Sequence, residues 1–281
     1  MRAIDARHLG NDKVISIWEV DGVLVDPGPQ STEATLLEAL DGREPSALLL
    51  THIHFDHAGV AGALVRRWPE LPVYVHERGA PHLAAPERLV ASAARLYGGE
   101  QELARLWGEV VPVPERNLRV LAGGETVLDG FRVEYTPGHA SHHVSFLHEP
   151  TGTAFVGDVA GARIPPSDYV LAPTPPPDID VEAWERSLDL VAAWEPQALA
   201  LTHFGRVDDV APHLAAMRER LHELVGLAAR HGAEAFAAGV TERIERGAGD
   251  VADRYVQAAA PEHLYLGLRR YLDKRAAGGL G

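Results

Sequence analysis

The chain has 281 residues, 46% of them hydrophobic and 23% charged, proportions that are typical of a folded globular protein. A disordered chain, a fibrous protein and a coiled coil are thereby excluded. Forty acidic against 26 basic residues give a net charge of −14, which repels nucleic acid and anionic membrane surfaces and leaves a small-molecule substrate as the expected partner.

The first part of the chain predicts strands followed by a helix. Residues 1–12 lack the apolar stretch of a secretory signal, and no later run reaches the roughly 18 apolar residues of a membrane span. We therefore expect a cytoplasmic location. Residues 14–20 and 23–25 predict two strands joined by a tight turn, and residues 32–40 predict a helix.

Strands and helices then alternate. Residues 47–50 predict a buried strand that leads directly into Thr-His-Ile-His-Phe-Asp-His-Ala-Gly. A helix over 60–68 and a short strand over 73–75 follow. Residues 87–107 have apolar side chains at three- and four-residue intervals with a Gly-Gly break, which predicts two short amphipathic helices. This insertion could wall a pocket or pair two subunits, so a homodimer stays open.

The second half of the chain predicts further strands and then helices alone. Residues 118–156 predict several antiparallel strands, and the proline-rich stretch 160–180 predicts a rigid surface loop. After a helix and a buried strand at 198–201, the pattern is only helical. We therefore divide the chain into a main domain, residues 1–207, and a C-terminal helical extension packed on it, residues 208–281.

Four side chains that bind metals follow the strand at 47–50 within six residues: His52, His54, Asp56 and His57. In an extended segment, residues two apart point the same way with Cα atoms about 6.6 Å apart, so His52 and His54 can share one ion. Asp56 and His57 diverge and can serve a second ion, as in two-metal hydrolytic sites. The chain has no cysteine, so the remaining ligands must also be histidine or carboxylate.

Three distant segments offer such ligands. Each lies at the end of an apolar run and presents its metal-binding residue at a glycine-flanked turn. The segments are Thr-Pro-Gly-His-Ala-Ser-His-His at 136–143 with His139, Ala-Phe-Val-Gly-Asp at 154–158 with Asp158, and Leu-Thr-His-Phe-Gly at 201–205 with His203.

In this order the motifs resemble those of the metallo-β-lactamase superfamily, and more closely its glyoxalase II-like and lactonase-like hydrolases, from residue 14 to about residue 205. The resemblance implies a mixed α/β (α+β) fold, a four-layer α-β-β-α sandwich with the site along one edge between its two sheets, so that residues 1–207 would be the catalytic domain. The metal ligands that it implies are His52, His54 and His139 for a first ion, Asp56, His57 and His203 for a second, and Asp158 between them.

The resemblance implies a dinuclear metal-dependent hydrolase. Two divalent ions, expected to be zinc with iron or manganese as alternatives, would share a bridging hydroxide that attacks a carbonyl. Asp56 would orient this nucleophile and Asp158 would set the separation of the ions, so both are predicted catalytic residues. A thiolate or alkoxide leaves without a dedicated acid, which favours a small thioester, lactone or activated ester as the substrate.

Residues near these motifs complete the prediction. Substrate contacts are predicted for Arg163 and Tyr169 in the proline-rich loop, for Phe204, and for His142, which could face either the pocket or solvent. A structural role behind the site is expected for His143. Exposed positions on polar helix faces are expected for His213, His222 and His231.

Several alternatives stay open at this point. An iron-dependent persulfide dioxygenase of the same superfamily would use one iron on the first ligand set. A nuclease is disfavoured by the acidic charge, and the β-lactam-hydrolysing branch with a cysteine ligand is excluded. Ala140 and His142 replace the threonine and glycine of the glyoxalase II motif, so a glutathione thioester is not singled out.

Overall fold

Within residues 1–278, which the computed structural model describes, the chain forms two six-stranded sheets with helices on their outer faces. The first sheet keeps chain order and consists of β1 (Arg2–Asp5), β2 (Ser16–Val20), β3 (Val23–Val25), β4 (Ala47–Leu49), β5 (Val73–His76) and β6 (Leu118–Leu121). The second sheet has the reverse order and consists of β7 (Thr126–Val127), β8 (Phe131–Tyr135), β9 (Val144–His148), β10 (Thr153–Phe155), β11 (Ala198–Leu201) and β12 (Gly205–Val207).

The helices fall into an N-terminal and a C-terminal group. The N-terminal helices are α1 (Glu33–Leu40), α2 (Phe55–Ala58), α3 (Ala61–Arg67), α4 (Ala80–Ala84), α5 (Glu87–Leu96) and α6 (Glu100–Trp107). The C-terminal helices are α7 (Val181–Ala193), α8 (Val210–Arg230), α9 (Ala233–Ala248), α10 (Ala252–Ala258) and α11 (Pro261–Ala276). In this described part of the chain, no helix is both long enough and apolar enough to span a bilayer.

Three apolar layers hold the sheets and helices together. Because successive side chains of a strand point to opposite faces, Ile17 packs toward the N-terminal helices while Trp18 packs between the sheets. On the second sheet, Ala200 faces the first sheet and Leu199 faces the C-terminal helices. The central strands are therefore buried on both faces, and the predicted four-layer α-β-β-α sandwich is confirmed.

The predicted strands and helices are found, with one correction in the strand pairing. Strands β7 to β10 are antiparallel as predicted, but β6 pairs parallel to β5 in the first sheet. The reason is that α4 to α6 form a crossover between β5 and β6, which a parallel connection requires. Strands β1 and β12 were not predicted; they are short strands at the outer edges of their sheets. The proline-rich stretch 160–180 is a loop, but the prediction that it lies on the surface is wrong, because its apolar residues are buried in the core between the second sheet and the C-terminal helices.

The C-terminal helices pack against the second sheet instead of forming a separate core. Leu214 and Met217 of α8 share one apolar cluster with Leu199 and with Leu264 of α11. The prediction that His213 is a surface residue is wrong, because this side chain is buried and its Nε2 lies 2.8 Å from the carbonyl oxygen of Ala160. His222 and His231 are exposed, as predicted.

Helix α11 lies directly against the proline-rich loop at a glycine. A Cβ atom at Gly267 would come within 2.0 Å of the Thr174 carbonyl oxygen, so the two backbones meet at a distance that only glycine allows. A Cβ at Gly239 of α9 would contact only the end of the Arg243 side chain, at 3.4 Å. Gly239 is thus a suitable control position for a substitution of Gly267, because both glycines lie in helices and only Gly267 has a close backbone neighbour.

Gly267→Ala is expected to destabilise the protein by roughly 1–3 kcal/mol, since overpacking forces backbone shifts. Gly239→Ala is expected to be neutral or to stabilise α9 by up to about 1 kcal/mol, because alanine has the higher helix propensity. Urea unfolding midpoints measure both effects. Equal midpoints for the two variants would contradict the close contact of α11 with the loop.

Candidate metal centre

The candidate ligands lie where strands of both sheets end at one edge of the sandwich. Strands β3 and β4 are parallel in the first sheet, as are β10 and β11 in the second, and chain segments carrying polar side chains leave their carboxyl ends. The segments that supply the ligands follow β4 (His52 to His57), β10 (Asp158) and β11 (His203), and the connection from β8 to β9 adds His139.

Seven side chains come together here in two groups. Within each group, all the potential ligand atoms lie within 4.8 Å of one another. The groups are His52, His54, His139 and Asp158, and beside them Asp56, His57 and His203. Asp56 and His54 are half-buried, whereas the other five are buried, so the two groups open toward one side only.

Three ring nitrogens converge in the first group. The Nδ1 of His54 lies 2.9 Å from Nε2 of His52 and 3.0 Å from Nε2 of His139. Oδ2 of Asp158 lies 3.3 Å from the same His139 nitrogen. Three imidazole nitrogens with an adjacent carboxylate are a donor set typical of zinc and similar divalent cations.

The second group faces the other oxygen of Asp158. Its Oδ1 lies 3.3 Å from Nε2 of His57 and 3.6 Å from Nε2 of His203. Oδ2 of Asp56 is 3.2 Å from the same His203 nitrogen. Asp158 therefore directs one carboxylate oxygen toward each group.

The outward nitrogens of three histidines are held by hydrogen bonds. Such bonds fix the ring orientation and leave the second nitrogen facing inward. The Nδ1–H of His57 donates to Asp26 Oδ2 at 2.8 Å. The Nδ1–H of His203 donates to the Val14 carbonyl at 2.8 Å, and that of His139 donates to the Pro173 carbonyl at 2.9 Å.

Asp26 is a buried residue of this site that the sequence analysis missed. Its Oδ1 accepts from the Thr51 amide at 2.8 Å, and its Oδ2 accepts from the hydroxyls of Thr51 at 2.7 Å and Thr202 at 2.9 Å as well as from His57. The available signal was its position directly after β3, equivalent to the positions of the ligands after β4 and β10. Its Asp-Pro-Gly-Pro context is typical of a turn and concealed that signal.

Gly157 allows β10 to deliver Asp158 to the centre. A Cβ atom at Gly157 would lie 2.4 Å from Thr51 Oγ1 and 2.7 Å from His143 Nε2, and its φ of 46° favours glycine. The ring of His143 accepts from the Asp158 amide at 3.3 Å and contacts Thr136 Oγ1 at 2.9 Å. His143 thus lies behind the site and supports the backbone of Asp158.

The electrostatics of the two groups fit cations. Among the described residues, Nε2 of His57, Nε2 of His203 and Oδ1 of Asp158 are buried without a hydrogen-bond partner. Burial lowers the pKa of His57, but the carboxylates of Asp158 and Asp56 outweigh it and raise that pKa well above its ordinary value. The same carboxylates raise the pKa of His203 against the effect of burial. The carboxylates therefore stabilise positive charge at the second group, whereas burial lowers the pKa of His52, His54 and His139 and keeps these rings neutral, as metal ligands must be.

A cavity of about 700 Å³ opens beside the two groups, and His54, Asp56 and Asp158 form part of its wall. Helices α5 and α6 line the opposite side, so the insertion at 87–107 walls this pocket. The end of the proline-rich loop and the junction of α10 with α11 complete it. Segments far apart in the chain thus enclose one space next to the candidate ligands.

Of the four predicted substrate residues, His142 lines this cavity, with its ring 5.7 Å from that of His54. The other three, Arg163, Tyr169 and Phe204, lie outside it. Arg163 forms ion pairs with Asp168 and Asp209, Tyr169 packs against Tyr255, and Phe204 packs on the apolar core between the second sheet and the C-terminal helices. No contact with a substrate in the cavity is expected for these three residues.

Tyr97 and Trp107 are cavity residues that the sequence analysis did not single out. Their rings pack edge to face with centroids 5.8 Å apart, and Trp107 also stacks on His8 at 4.7 Å. Burial and the nearby Asp56 carboxylate raise the pKa of Tyr97, so its phenol stays neutral. The apolar spacing over 87–107 predicted two amphipathic helices but not which surface they would face.

The sequence matches the model of the metallo-beta-lactamase superfamily over residues 18–203. It is 30% identical over 194 residues to the metallo-beta-lactamase fold-containing protein ST1585 of Sulfurisphaera tokodaii, which covers 66% of this chain and 69% of that protein. The crystal structure of ST1585 has the same fold, with a TM-score of 0.68 over 97% of this chain and 98% of that one at 22% identity.

Two further matches concern chemistry and metal. Hydroxyacylglutathione hydrolase of Xylella fastidiosa strain M12 is 33% identical over 150 residues, which are 52% of this chain and 45% of that enzyme. The protein TTHA1623, crystallised in a di-iron-bound form, is 28% identical with a TM-score of 0.53, covering 72% of this chain and 91% of its own. The chain thus spans less than half the length of hydroxyacylglutathione hydrolase.

Asp26→Asn is expected to lower metal affinity about 10- to 100-fold. The amide group of asparagine cannot accept hydrogen bonds from Thr51, Thr202 and His57 together, so it would orient the His57 ring less well. Asp21→Asn is the matched control: Asp26 and Asp21 have φ values of 49° and 51°, which asparagine tolerates, but Asp21 is exposed in the turn between β2 and β3. Metal content after dialysis against a graded chelator measures the difference. Equal retention by both variants would show that Asp26 does not position the ligands.

Proposed function

The chain belongs to the metallo-β-lactamase superfamily, and on this premise we propose that it is a dinuclear metal-dependent hydrolase of a small thioester, lactone or activated ester. One observation carries the proposal: Asp158 directs its two carboxylate oxygens toward two separate buried groups of donors. A carboxylate in this position suits two cations that lie side by side. The di-iron form of TTHA1623 supports a pair of metals.

The seven side chains would divide between two ions. In this proposal, His52, His54 and His139 hold the first, Asp56, His57 and His203 hold the second, and Asp158 bridges them. Zinc is our expectation for both positions, with iron and manganese as alternatives. When bound, such a pair supplies water of lowered pKa and an electrophile for the substrate carbonyl.

Residues of the chain orient the reactants around this centre. Asp56 lines the cavity and offers its carboxylate oxygens as acceptors for a proton of the attacking water. Burial, with the neighbouring His54, lowers the pKa of His142 to about 3, so His142 stays neutral. Its Nδ1 is buried without a hydrogen-bond partner among the described residues, whereas the half-buried ring lines the cavity, so contact of the ring with a bound substrate is part of the proposal.

The leaving group decides the substrate class. An amine must be protonated as it departs, whereas a thiolate or an activated alkoxide leaves as an anion, so the proposal favours thioesters, lactones and activated esters over amides. The relative named hydroxyacylglutathione hydrolase supports acyl-transfer chemistry to water. A small molecule fits both the cavity of about 700 Å³ and the net charge of −14, which disfavours a nuclease.

The second group of donors separates this proposal from an iron-dependent persulfide dioxygenase. A mononuclear oxygenase needs only the first group. Here the outward nitrogens of His57 and His203 are held by buried acceptors, an arrangement that serves a metal ligand at the second position as well. Metal stoichiometry and oxygen uptake distinguish the two functions.

The wild-type chain is expected to bind two divalent ions and to hydrolyse a phenyl acetate or thioacetate. His54→Ala should remove the first ion and reduce kcat/KM at least about 100-fold, because a ligand is lost. His222→Ala, an exposed histidine of α8, is the control and should keep both metals and full activity. Elemental analysis and initial rates of hydrolysis are the measurements.

Two results would overturn the proposal. One iron per chain with consumption of oxygen in the presence of a persulfide would identify the dioxygenase. Unchanged metal content and rate in His54→Ala would show that the converging histidines do not bind the ion used in catalysis.

A further inference from the structure

We propose that the cavity contains a subsite for a hydrocarbon group of the substrate, an alkyl chain or an aromatic ring, bound against α5 and α6. The inference rests on the proposed function, because it names a feature of the ester, lactone or thioester that is hydrolysed. The residues that form this apolar wall are Leu89, Ala93, Leu96, Tyr97, Leu106 and Trp107.

Part of the apolar wall is a face of α5 that the rest of the protein covers only in part. Leu89, Ala93 and Leu96 are four and three residues apart and therefore lie on one side of α5. These side chains are only half-buried and line the cavity, whereas Ala94 of the same helix is buried in the core. Exposed apolar surface that is contiguous inside a concave site is typical of a ligand-binding surface.

Neighbouring residues that also line the cavity hold the apolar wall in place. His8 stacks on Trp107, its Nε2 lies 2.8 Å from the Leu106 carbonyl oxygen, and Gln257 at the end of α10 donates to the His8 carbonyl at 3.0 Å. Tyr97 packs edge to face on Trp107 and on His263 of α11. A surface fixed before binding loses little conformational entropy when it receives a hydrocarbon group.

The apolar wall and the candidate metal centre share one cavity. Asp56 and His54 lie on its inner side, so a carbonyl at the centre can carry a substituent that reaches α5. Prolines 175 to 177 add further apolar surface to the same cavity. A volume of about 700 Å³ lies within the range of roughly 300–1,000 Å³ that encloses most of a small ligand.

The test is a pair of ester series on the metal-loaded protein. In one, p-nitrophenyl esters carry acyl chains of two to ten carbons, and in the other, acetate esters carry alcohols of the same lengths. If the subsite binds the acyl group, kcat/KM rises with chain length in the first series. If it binds the leaving group, kcat/KM rises with chain length in the second series. Each buried methylene is worth about fourfold, so we expect at least about tenfold between two and eight carbons.

Two phenylalanine variants of α5 assign the effect to the apolar wall. Ala93→Phe fills the cavity and should bring the eight-carbon to two-carbon ratio of kcat/KM close to one. Ala91→Phe, on the exposed side of the same helix, should keep the ratio and the rates of the wild type. A flat wild-type response in both series, or the same ratio in Ala93→Phe as in Ala91→Phe, would overturn the subsite.

Binding of products separates this inference from the proposed function. Octanoate and 1-octanol are compared with acetate and ethanol by calorimetry, which needs no turnover. If no ester is hydrolysed, the proposed function fails, yet at least tenfold tighter binding of an eight-carbon ligand, lost in Ala93→Phe and kept in Ala91→Phe, would still support the subsite. Equal binding of the two-carbon and eight-carbon ligands would overturn it.

Discussion

The candidate centre depends on the buried carboxylate of Asp26. This single side chain accepts hydrogen bonds from Thr51 and His57 after β4 and from Thr202 after β11, so it joins the ends of strands from both sheets. A buried carboxylate is costly unless such donors satisfy it, and each donor in turn loses its partner if the loop moves. The loops are therefore held in the one arrangement in which the histidine rings face inward.

Charge explains why the arrangement suits cations. Asp56 and Asp158 lie with Asp26 within a few ångströms of five imidazoles, and together they raise the pKa of His57 although burial acts against it. Bound divalent ions would neutralise these carboxylates and use the inward lone pairs of the rings. The hydrogen bonds of Asp26 thus orient the histidine ligand from outside the centre, whereas Asp56 and Asp158 supply the negative charge within it.

The sequence predicted what depends on local spacing and missed what depends on distant packing. His52 to His57 could be found because they directly follow a predicted strand, and the later His139, Asp158 and His203 because each lies in a glycine-flanked turn after an apolar run, within motifs that resemble the superfamily. Tyr97 and Trp107 could not be assigned to the cavity, because helical periodicity shows an apolar face without showing what it faces. Arg163 illustrates the opposite error: it is close to Asp158 along the chain, but Asp168 and Asp209 hold its guanidinium outside the cavity.

Different parts of the chain supply the candidate ligands and the apolar wall of the cavity. The candidate ligands come from strand ends whose position the two sheets dictate, so they can change little without disturbing the sandwich. The apolar wall comes from an insertion between β5 and β6 and is held in place by His8 and by Gln257 of α10. Because neither α5 nor α6 supplies a candidate ligand, their side chains can change the shape of the cavity without altering the donor groups. In the proposed function, the sheets thus position the donor groups, whereas the helices packed against them shape the cavity for the substrate.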